Sequence, residues 1–225
     1  EGTDMSINIA IDGPAGAGKS TIARAVAAAL GFIYVDTGAL YRTVALHAKR
    51  KGAETPEQIT AALQTAEISL CFSEGTQHVI LCGEDVSGLI RTPEISMAAS
   101  VVSAIPAVRQ YLFDLQLELA KQNNVIMDGR DIGTVVLPHA DLKIFLTASP
   151  EERARRRYLE LSAKPDCPPM DEILQDIIKR DEADRNRAVS PLRQAEDAVL
   201  VDTTQMDQQQ VIDHLLGLCR ERLGL

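Results

Sequence analysis

The chain has 225 residues, of which 45% are hydrophobic, so it is long enough for a substantial core and for one or two domains. Its 23 basic and 32 acidic residues give a formal net charge of −9. This acidic balance argues against a protein that binds nucleic acid backbones or anionic lipid, because both ligands need a cationic surface. Tryptophan is absent and no apolar run approaches the roughly 18–20 residues of a membrane span.

The opening segment and the cysteines bear on the cellular compartment. EGTDMSINIA is short and acidic and does not resemble a signal peptide, and Met5 is a candidate for the natural first residue. The cysteines form no C-x-x-C pair and have no histidine at metal-ligand spacing, which indicates reduced thiols in a cytoplasmic protein. They are Cys71, Cys82, Cys167 and Cys219.

Short apolar runs alternate with helical segments along most of the chain. This alternation predicts an α/β fold with a parallel sheet and right-handed crossovers. The runs are nearly continuous in apolar residues, as in strands that are buried on both faces. The predicted strands are Ile7–Asp12, Ile33–Asp36, Val125–Asp128, Leu142–Thr147 and Val199–Asp202.

Helix signals fill the gaps between these strands. A helix over Lys19–Leu30 is followed by Gly31, a natural C-terminal stop. A capping-box signature predicts another helix, with Ser149 as the cap, Pro150 at the first helical position and Glu152 three residues after the cap. Further helices are predicted to start at Thr92–Glu94, at Pro106, at Met170 (ending near Arg187) and at Asp207–Gln210.

Two segments interrupt the alternation. Ile68–Phe72 and Val79–Cys82 are predicted to form an antiparallel hairpin, within a stretch at 52–105 that we interpret as an insert on one edge of the sheet. The proline-rich SAKPDCPPM at 162–170 separates two predicted helices. It is either a plain surface connection or a mobile lid.

The first predicted strand leads into GPAGAGKS at 13–20, which fits the phosphate-loop pattern G-x-x-x-x-G-K-[ST] between a strand and a helix. Glycines let backbone N–H groups surround phosphate oxygens, and the helix N-terminus adds positive potential. Lys19 is expected to contact the β- and γ-phosphates, and the Ser20 hydroxyl a bound Mg²⁺. The residues assigned to nucleoside triphosphate binding are Gly13, Pro14, Ala15, Gly16, Ala17, Gly18, Lys19, Ser20 and Thr21.

Arginine and aspartate recur just after two later strands, in DTGALYR (36–42) and DGRDIGT (128–134). Ligands bind at these carboxyl ends in open α/β sheets, and the arginine fork matches phosphate oxygens. No guanine-reading N-K-x-D element follows a later strand, which argues against a GTPase.

A third arginine-rich cluster, RDEADRNR at 180–187, lies on a predicted helix. Arg180, Asp184 and Arg187 would share one face of that helix. A salt-bridged, solvated helix surface is the alternative interpretation. So many arginines in a net-acidic chain favour one site for several phosphates.

Seven stretches, in the right order over nearly the whole chain, resemble the bacterial cytidylate kinase family of nucleoside monophosphate kinases. The phosphate loop alone is generic, whereas GEDVSGLIR, DGRDIGT and RDxxDxxR together are specific to this family. The stretches are IDGPAGAGKST (11–21), DTGALYR (36–42), GEDVSGLIRTPEIS (83–96), AAS to PAVR (98–109), DGRDIGTVV (128–136), KIFLTAS (143–149) and RDEADRNRAVSPL (180–192).

The resemblance implies a single P-loop kinase domain over residues 1–225, with a five-stranded parallel sheet flanked by helices. It further implies a monophosphate-binding insert at 52–105 that contains a small antiparallel sheet, and a short lid at 153–170. The implied reaction converts ATP and CMP or dCMP to ADP and CDP or dCDP with Mg²⁺, in pyrimidine nucleotide metabolism. The implied partners are these small molecules, with no nucleic acid and no membrane, and the protein is expected to be a cytoplasmic monomer.

The family motifs also imply a role for individual residues. Ser100 and Arg109 would donate to the cytosine acceptors, and Asp131 would accept from its exocyclic amine. Asp184, together with Arg180, would contact the sugar hydroxyls. The CMP phosphate is assigned to Arg42, Arg130 and Arg187. The ATP phosphates are assigned to Arg157, with Arg153 as a second candidate. Tyr41 would line the acceptor pocket, with Thr37 and Asp36 beside it, and Asp36 would act through water bound to the metal.

No dedicated nucleophile is expected, because the acceptor is already an anionic phosphate oxygen and catalysis then rests on positioning and charge. The four histidines are interpreted as structural or exposed. Two alternatives stay open: a small P-loop kinase that acts on UMP, AMP or shikimate, and a nucleotide-dependent switch without rapid turnover. The expected catalytic residues are Lys19, Arg130, Arg180 and Arg187.

Overall fold

The computed structural model describes residues 6–74 and 76–225, so the candidate start Met5 lies outside the described residues. The chain divides into two compact units. The acceptor-side unit comprises Ile33–Asn124 together with Ser6. The phosphate-loop unit comprises Ile7–Phe32 and Val125–Leu225.

Strands and helices alternate along most of the described chain. The strands are β1 (Asn8–Asp12), β2 (Ile33–Asp36), β3 (Ile68–Ser73), β4 (Thr76–Leu81), β5 (Glu84–Asp85), β6 (Val125–Gly129), β7 (Leu142–Thr147) and β8 (Val199–Asp202). The helices are α1 (Lys19–Leu30), α2 (Thr37–Arg50), α3 (Pro56–Ala62), α4 (Pro93–Val102), α5 (Pro106–Gln122), α6 (Pro150–Leu161), α7 (Met170–Asn186) and α8 (Gln208–Leu223).

A five-stranded sheet with the order β2-β6-β1-β7-β8 confirms the predicted α/β fold. Within the phosphate-loop unit β1 pairs in parallel with β6 and β7, and β7 pairs in parallel with β8. Side chains such as Ile9, Ile11, Ile126 and Ile144 are fully buried, as expected for strands covered on both faces. For the five strands of this sheet, the predicted bounds agree with the structure to within one residue. β1 begins one residue later than predicted, β6 ends one residue later, and the other three match.

The small antiparallel sheet of the acceptor-side unit has the order β3-β4-β5. The hairpin is longer than predicted, because Ser73 pairs with Thr76 and the ladder continues over polar residues that carry no apolar signal. Backbone hydrogen bonds, rather than side-chain polarity, extend these strands. Cys82, predicted to end the second strand, lies beyond β4 with a left-handed φ of 49°.

Caps and breakers set the helix ends. Gly31 ends α1 in the left-handed conformation, with φ 70°, as predicted. Ser149 caps α6 by accepting from the Glu152 N–H, whereas the Glu152 carboxylate accepts from Arg155 and Arg156 rather than completing the predicted capping box. Among the described residues, no helix combines the length and apolar character that a membrane crossing requires.

Helix α7 ends at Asn186, in agreement with the predicted end near Arg187. Arg187 has φ −59° and ψ 133°, so its backbone leaves the helix after Asn186. Arg187 is therefore the C-terminal cap of α7. The Arg187 guanidinium donates to the Ser190 carbonyl at 2.6 Å, where the chain turns after the helix.

Candidate active site

The phosphate loop joins β1 to α1 and lies against β7. A Cβ on Gly13 would overlap the carbonyl oxygen of Leu146, so only glycine allows this approach of two backbones. Gly16 and Gly18 have φ of 74° and 79°, a conformation that other residues rarely adopt. The glycine spacing of the motif thus follows directly from the path of the loop.

Lys19 begins α1, and its side chain is buried, with 7% of its surface exposed. Its ammonium donates to the Pro14 carbonyl at 2.9 Å. Burial, and to a lesser extent the charge of Arg130, lower the pKa of Lys19 to about 7, while nearby carboxylates oppose the shift. An anionic phosphate at this ammonium would restore its positive charge.

Ser20 and Asp128 form an oxygen-rich pair beside Lys19. The Ser20 hydroxyl donates to Asp128 Oδ2 at 3.1 Å, which joins the start of α1 to the end of β6. A hydroxyl and a carboxylate are hard oxygen ligands, so the pair fits a divalent cation of the kind that accompanies nucleotide phosphates. Asp128 is not among the site residues predicted from the sequence, although its position at the end of the predicted strand Val125–Asp128 was a usable signal.

Asp12, the last residue of β1, is a second buried carboxylate that the sequence analysis missed. Its Oδ1 accepts from the Ile132 N–H at 2.8 Å, and its Oδ2 accepts from the Gly133 N–H at 2.7 Å. Burial raises the pKa of Asp12 to about 6 against the opposing effect of these two hydrogen bonds. The carboxylate thereby anchors the π-helical turn Ile132–Val136, which directly follows Arg130 and Asp131 in the chain.

Arg130 and Asp184 form a partly buried ion pair, with Arg130 Nε donating to Asp184 Oδ2 at 2.6 Å. Burial lowers the pKa of Arg180, and the neighbouring charges of Arg130 and Arg157 lower it further, whereas Asp184 opposes the shift. Several cations therefore converge on Asp184 in the phosphate-loop unit. Such a concentration of positive charge favours anionic ligands.

The two arginines that the sequence analysis assigns to the ATP phosphates lie in different surroundings. Arg157 is largely exposed and pairs with Glu160 at 3.0 Å. Arg153 is buried, and its guanidinium donates to the Asp181 carboxylate and to the carbonyls of Ala15 and Ala148. The N–H groups of the Arg153 guanidinium thus donate to protein atoms in this structure.

In the acceptor-side unit, the DTGALYR stretch forms the end of β2 and the first turns of α2. Asp36 caps α2 by accepting from the Ala39 N–H at 3.0 Å, and it also accepts from Arg42 at 3.2 Å. A Cβ on Gly38 would lie 3.2 Å from the Asp36 carboxylate and 3.3 Å from the Arg42 guanidinium. Glycine at this position therefore lets the Asp36–Arg42 pair lie close to the start of the helix.

Ser100 and Arg109, two of the three residues that the sequence analysis assigns to the base, lie in the same unit, whereas the third, Asp131, lies in the phosphate-loop unit. The Arg109 guanidinium lies 5.6 Å from the centre of the Tyr41 ring, within cation–π range. It also donates to the Ser103 carbonyl at 3.3 Å, and the Ser103 hydroxyl donates to the Ser100 carbonyl at 2.8 Å. Ser103 therefore connects Ser100 to Arg109.

The sequence-predicted residues thus form two groups. The acceptor-side unit holds Asp36, Thr37, Tyr41, Arg42, Ser100 and Arg109, and the phosphate-loop unit holds Gly13–Thr21, Arg130, Asp131, Arg157, Arg180, Asp184 and Arg187. Thr37 and Asp131 are both buried.

Comparisons with known proteins identify the family of the chain. The family model for cytidylate kinase matches residues 9–221. A cytidylate kinase of Syntrophotalea carbinolica is 50% identical over 216 residues, covering 95% of this chain and 92% of the relative. A cytidylate kinase of Caldicellulosiruptor bescii is 51% identical over 214 residues, covering 94% of this chain and 95% of the relative.

A solved structure from Eubacterium ventriosum, titled as an uncharacterized protein, covers 96% of this chain and 100% of its own, with a TM-score of 0.55 and 11% identity. At that identity the likeness concerns the fold alone. The family model and the two relatives span nearly the whole chain. This chain is a member of the cytidylate kinase family.

Proposed function

We propose that this protein transfers the γ-phosphoryl group of ATP to CMP or dCMP, giving ADP and CDP or dCDP. The observation that carries the proposal is the ion pair of Arg130 with Asp184 at 2.6 Å, with the charges of Lys19 and Arg180 close to it. This cluster lies in a chain that is about half identical to relatives named cytidylate kinase. Reaction between two phosphorylated anions needs this kind of charge neutralisation.

The donor ATP is proposed to bind at the phosphate loop, through the backbone of residues 13–21. Lys19 exchanges the Pro14 carbonyl for β- and γ-phosphate oxygens, which are better partners for an ammonium ion. Arg157, the exposed arginine of α6, supplies a further cation to the same phosphates. Ser20 and Asp128 would hold a Mg²⁺ ion, which would supply positive charge to the phosphates.

The acceptor nucleotide is assigned to residues that offer matching hydrogen-bond groups. Ser100 and Arg109 supply donors to cytosine O2 and N3, and Asp131 accepts from the exocyclic amine. Asp184 accepts from the sugar hydroxyls, with Arg180 beside it. The CMP phosphate is assigned to Arg42, Arg130 and Arg187, and the flanking residues are Asp36, Thr37 and Tyr41.

The chemical step requires orientation rather than a catalytic base. With a second phosphate pKa of about 6, the CMP phosphate is largely a dianion at neutral pH. One of its oxygens forms the new bond to the γ-phosphorus while the bond to the β,γ-bridging oxygen breaks, and ADP leaves with that electron pair. Lys19, Arg130, Arg180 and Arg187 stabilise the charge that develops on the transferred group and on the leaving oxygen.

A panel of acceptors tests the proposal. ADP release is measured by a coupled assay with ATP and Mg²⁺ against CMP, dCMP, UMP, AMP, GMP and shikimate. Rapid turnover confined to CMP and dCMP is the expected result. Strong turnover on UMP, AMP or shikimate alone would contradict the base-reading assignments, and ATP binding without turnover on any acceptor would favour a nucleotide-dependent switch.

The proposal extends to the cellular setting. We place the reaction in the cytoplasm, in keeping with four cysteines that are free in the structure. We propose that one chain is the active species, which a sedimentation experiment with active enzyme tests: a single species near 24.4 kDa is expected.

A further inference from the structure

Arg153 makes an unusual set of contacts for a charged side chain. It is 1% exposed, and Asp181 is 4% exposed. Arg153 Nη1 and Nη2 donate to Asp181 Oδ1 and Oδ2 at 2.9 and 2.6 Å, a two-pronged pairing of planar groups. Arg153 Nε donates to the Ala148 carbonyl at 2.9 Å, and Nη1 also donates to the Ala15 carbonyl at 3.1 Å.

These contacts connect four separate segments of the phosphate-loop unit. Arg153 belongs to α6 and Asp181 to α7, whereas Ala148 follows β7 and Ala15 lies in the middle of the phosphate loop. A Cβ on Gly16 would lie 3.5 Å from the Arg153 Cβ and 3.9 Å from Ile177, so the loop rests directly on both helices. The guanidinium thus joins the loop to the two helices beneath it.

The contact with Ala15 constrains the direction of the loop backbone. In a trans peptide the carbonyl and the following N–H point to opposite sides of the chain. Because the Ala15 carbonyl faces Arg153, the Gly16 N–H is directed to the opposite side of the loop. That orientation suits a loop whose N–H groups bind phosphate oxygens on one side.

Net stability alone is a weak explanation for this ion pair. Removing two charges from water costs much of what their attraction returns, so apolar side chains of similar size often support a fold as well. An apolar pair, however, has no donors for the Ala15 carbonyl. The fork geometry of arginine also holds both Asp181 oxygens and a carbonyl at once, which lysine does not.

We propose that Arg153, held by Asp181, is a positioning residue of the donor site: it fixes the phosphate loop in the conformation that binds ATP phosphates. This inference rests on the proposed function and deepens it.

Two variants test the inference. Arg153→Lys keeps the charge and loses the fork, whereas the double variant Arg153→Met with Asp181→Leu removes both charges and leaves no buried ion unpaired. We expect each to raise the KM for ATP by about fivefold or more, with the KM for CMP within about twofold of the parent value. The matched control is Arg155→Lys on the same helix, an exposed side chain paired with Glu152, for which unchanged kinetics are expected.

The readouts separate positioning from plain structural support. Thermal unfolding gives the Tm of each variant, and all kinetics are measured well below it. Folded variants with unchanged KM values, or with equal rises in both, would overturn the inference. If the double variant fails to fold, Arg153→Lys decides by the same criterion.

A direct binding measurement keeps the inference distinct from the proposed function. Calorimetric titration with ATP and Mg²⁺ needs no acceptor, so it applies even if the parent protein phosphorylates no CMP. Weaker ATP binding by about fivefold or more in Arg153→Lys supports the positioning role, and parental affinity overturns it.

Discussion

Replacement of Asp12 by asparagine tests the buried carboxylate that anchors the turn after β6. The carboxylate accepts from the Ile132 and Gly133 N–H groups at 2.8 and 2.7 Å. Asparagine keeps the shape and one acceptor oxygen, but its NH₂ group faces a backbone donor in place of the second oxygen. The substitution removes the titratable proton of this position together with one hydrogen bond.

The sign and size of the pH effect follow from the pKa of Asp12. Burial raises this pKa from 3.8 to about 6, so the folded chain binds the proton more tightly than the unfolded chain. The stability that the proton confers is fully present below the unfolded-state pKa and is lost as pH rises through the folded-state pKa. This rise in the pKa of Asp12 corresponds to a contribution of about 3 kcal/mol to the free energy of unfolding, of which about 2 kcal/mol is lost between about pH 4 and pH 6.5.

The measurement compares the free energies of unfolding of the parent chain and Asp12→Asn. Urea unfolding, followed by circular dichroism at several pH values between about 4 and 6.5, gives both energies, and their difference removes the contribution of most other groups. We expect the parent-minus-variant difference to decrease by about 2 kcal/mol as pH rises. A difference that stays constant or increases would refute the argument from burial.

Three further substitutions test the site and the loop. Lys19→Ala is expected to lower kcat by at least about a hundredfold with little change in Tm, since it removes the ammonium at the transferred phosphate; near-normal kcat in a coupled assay would refute that role. Asp184→Ala is expected to raise the KM for CMP more than the KM for ATP in steady-state kinetics, because the sugar contact is lost; a change confined to ATP would contradict its assignment. Gly13→Ala is expected to lower the free energy of unfolding by at least about 3 kcal/mol, because the new Cβ overlaps the Leu146 carbonyl. Urea unfolding measures this loss, with Gly88→Ala as the control, because a Cβ added to Gly88 meets no atom within 4 Å.

The strands and several helix ends were predictable because their signals are local. Apolar runs bounded by polar residues locate β2, β7 and β8 at their observed ends, and Gly31 stops α1 where its left-handed conformation requires glycine. The phosphate loop was equally predictable, since the glycine spacing alone reflects the tight path beside Leu146.

Other features depend on contacts between distant segments and left weak signals in the sequence. The hairpin ladder extends to Ser73 and Thr76 through backbone pairing. Arg153 has the same side chain as its exposed neighbour Arg155, and only its contacts with distant segments, among them Asp181 on another helix and the phosphate loop, bury it. Asp12 likewise anchors the turn after β6 only because the N–H groups of Ile132 and Gly133, 120 and 121 positions later, donate to it.

Direct observation of phosphoryl transfer tests the central claim. Phosphorus NMR of ATP, Mg²⁺ and CMP with the protein follows each phosphate resonance with time. We predict that ADP and CDP appear together in equal amounts as ATP and CMP disappear, with no release of inorganic phosphate, and that Lys19→Ala produces neither product. Release of inorganic phosphate with CMP unchanged would mean ATP hydrolysis rather than transfer and would contradict the account.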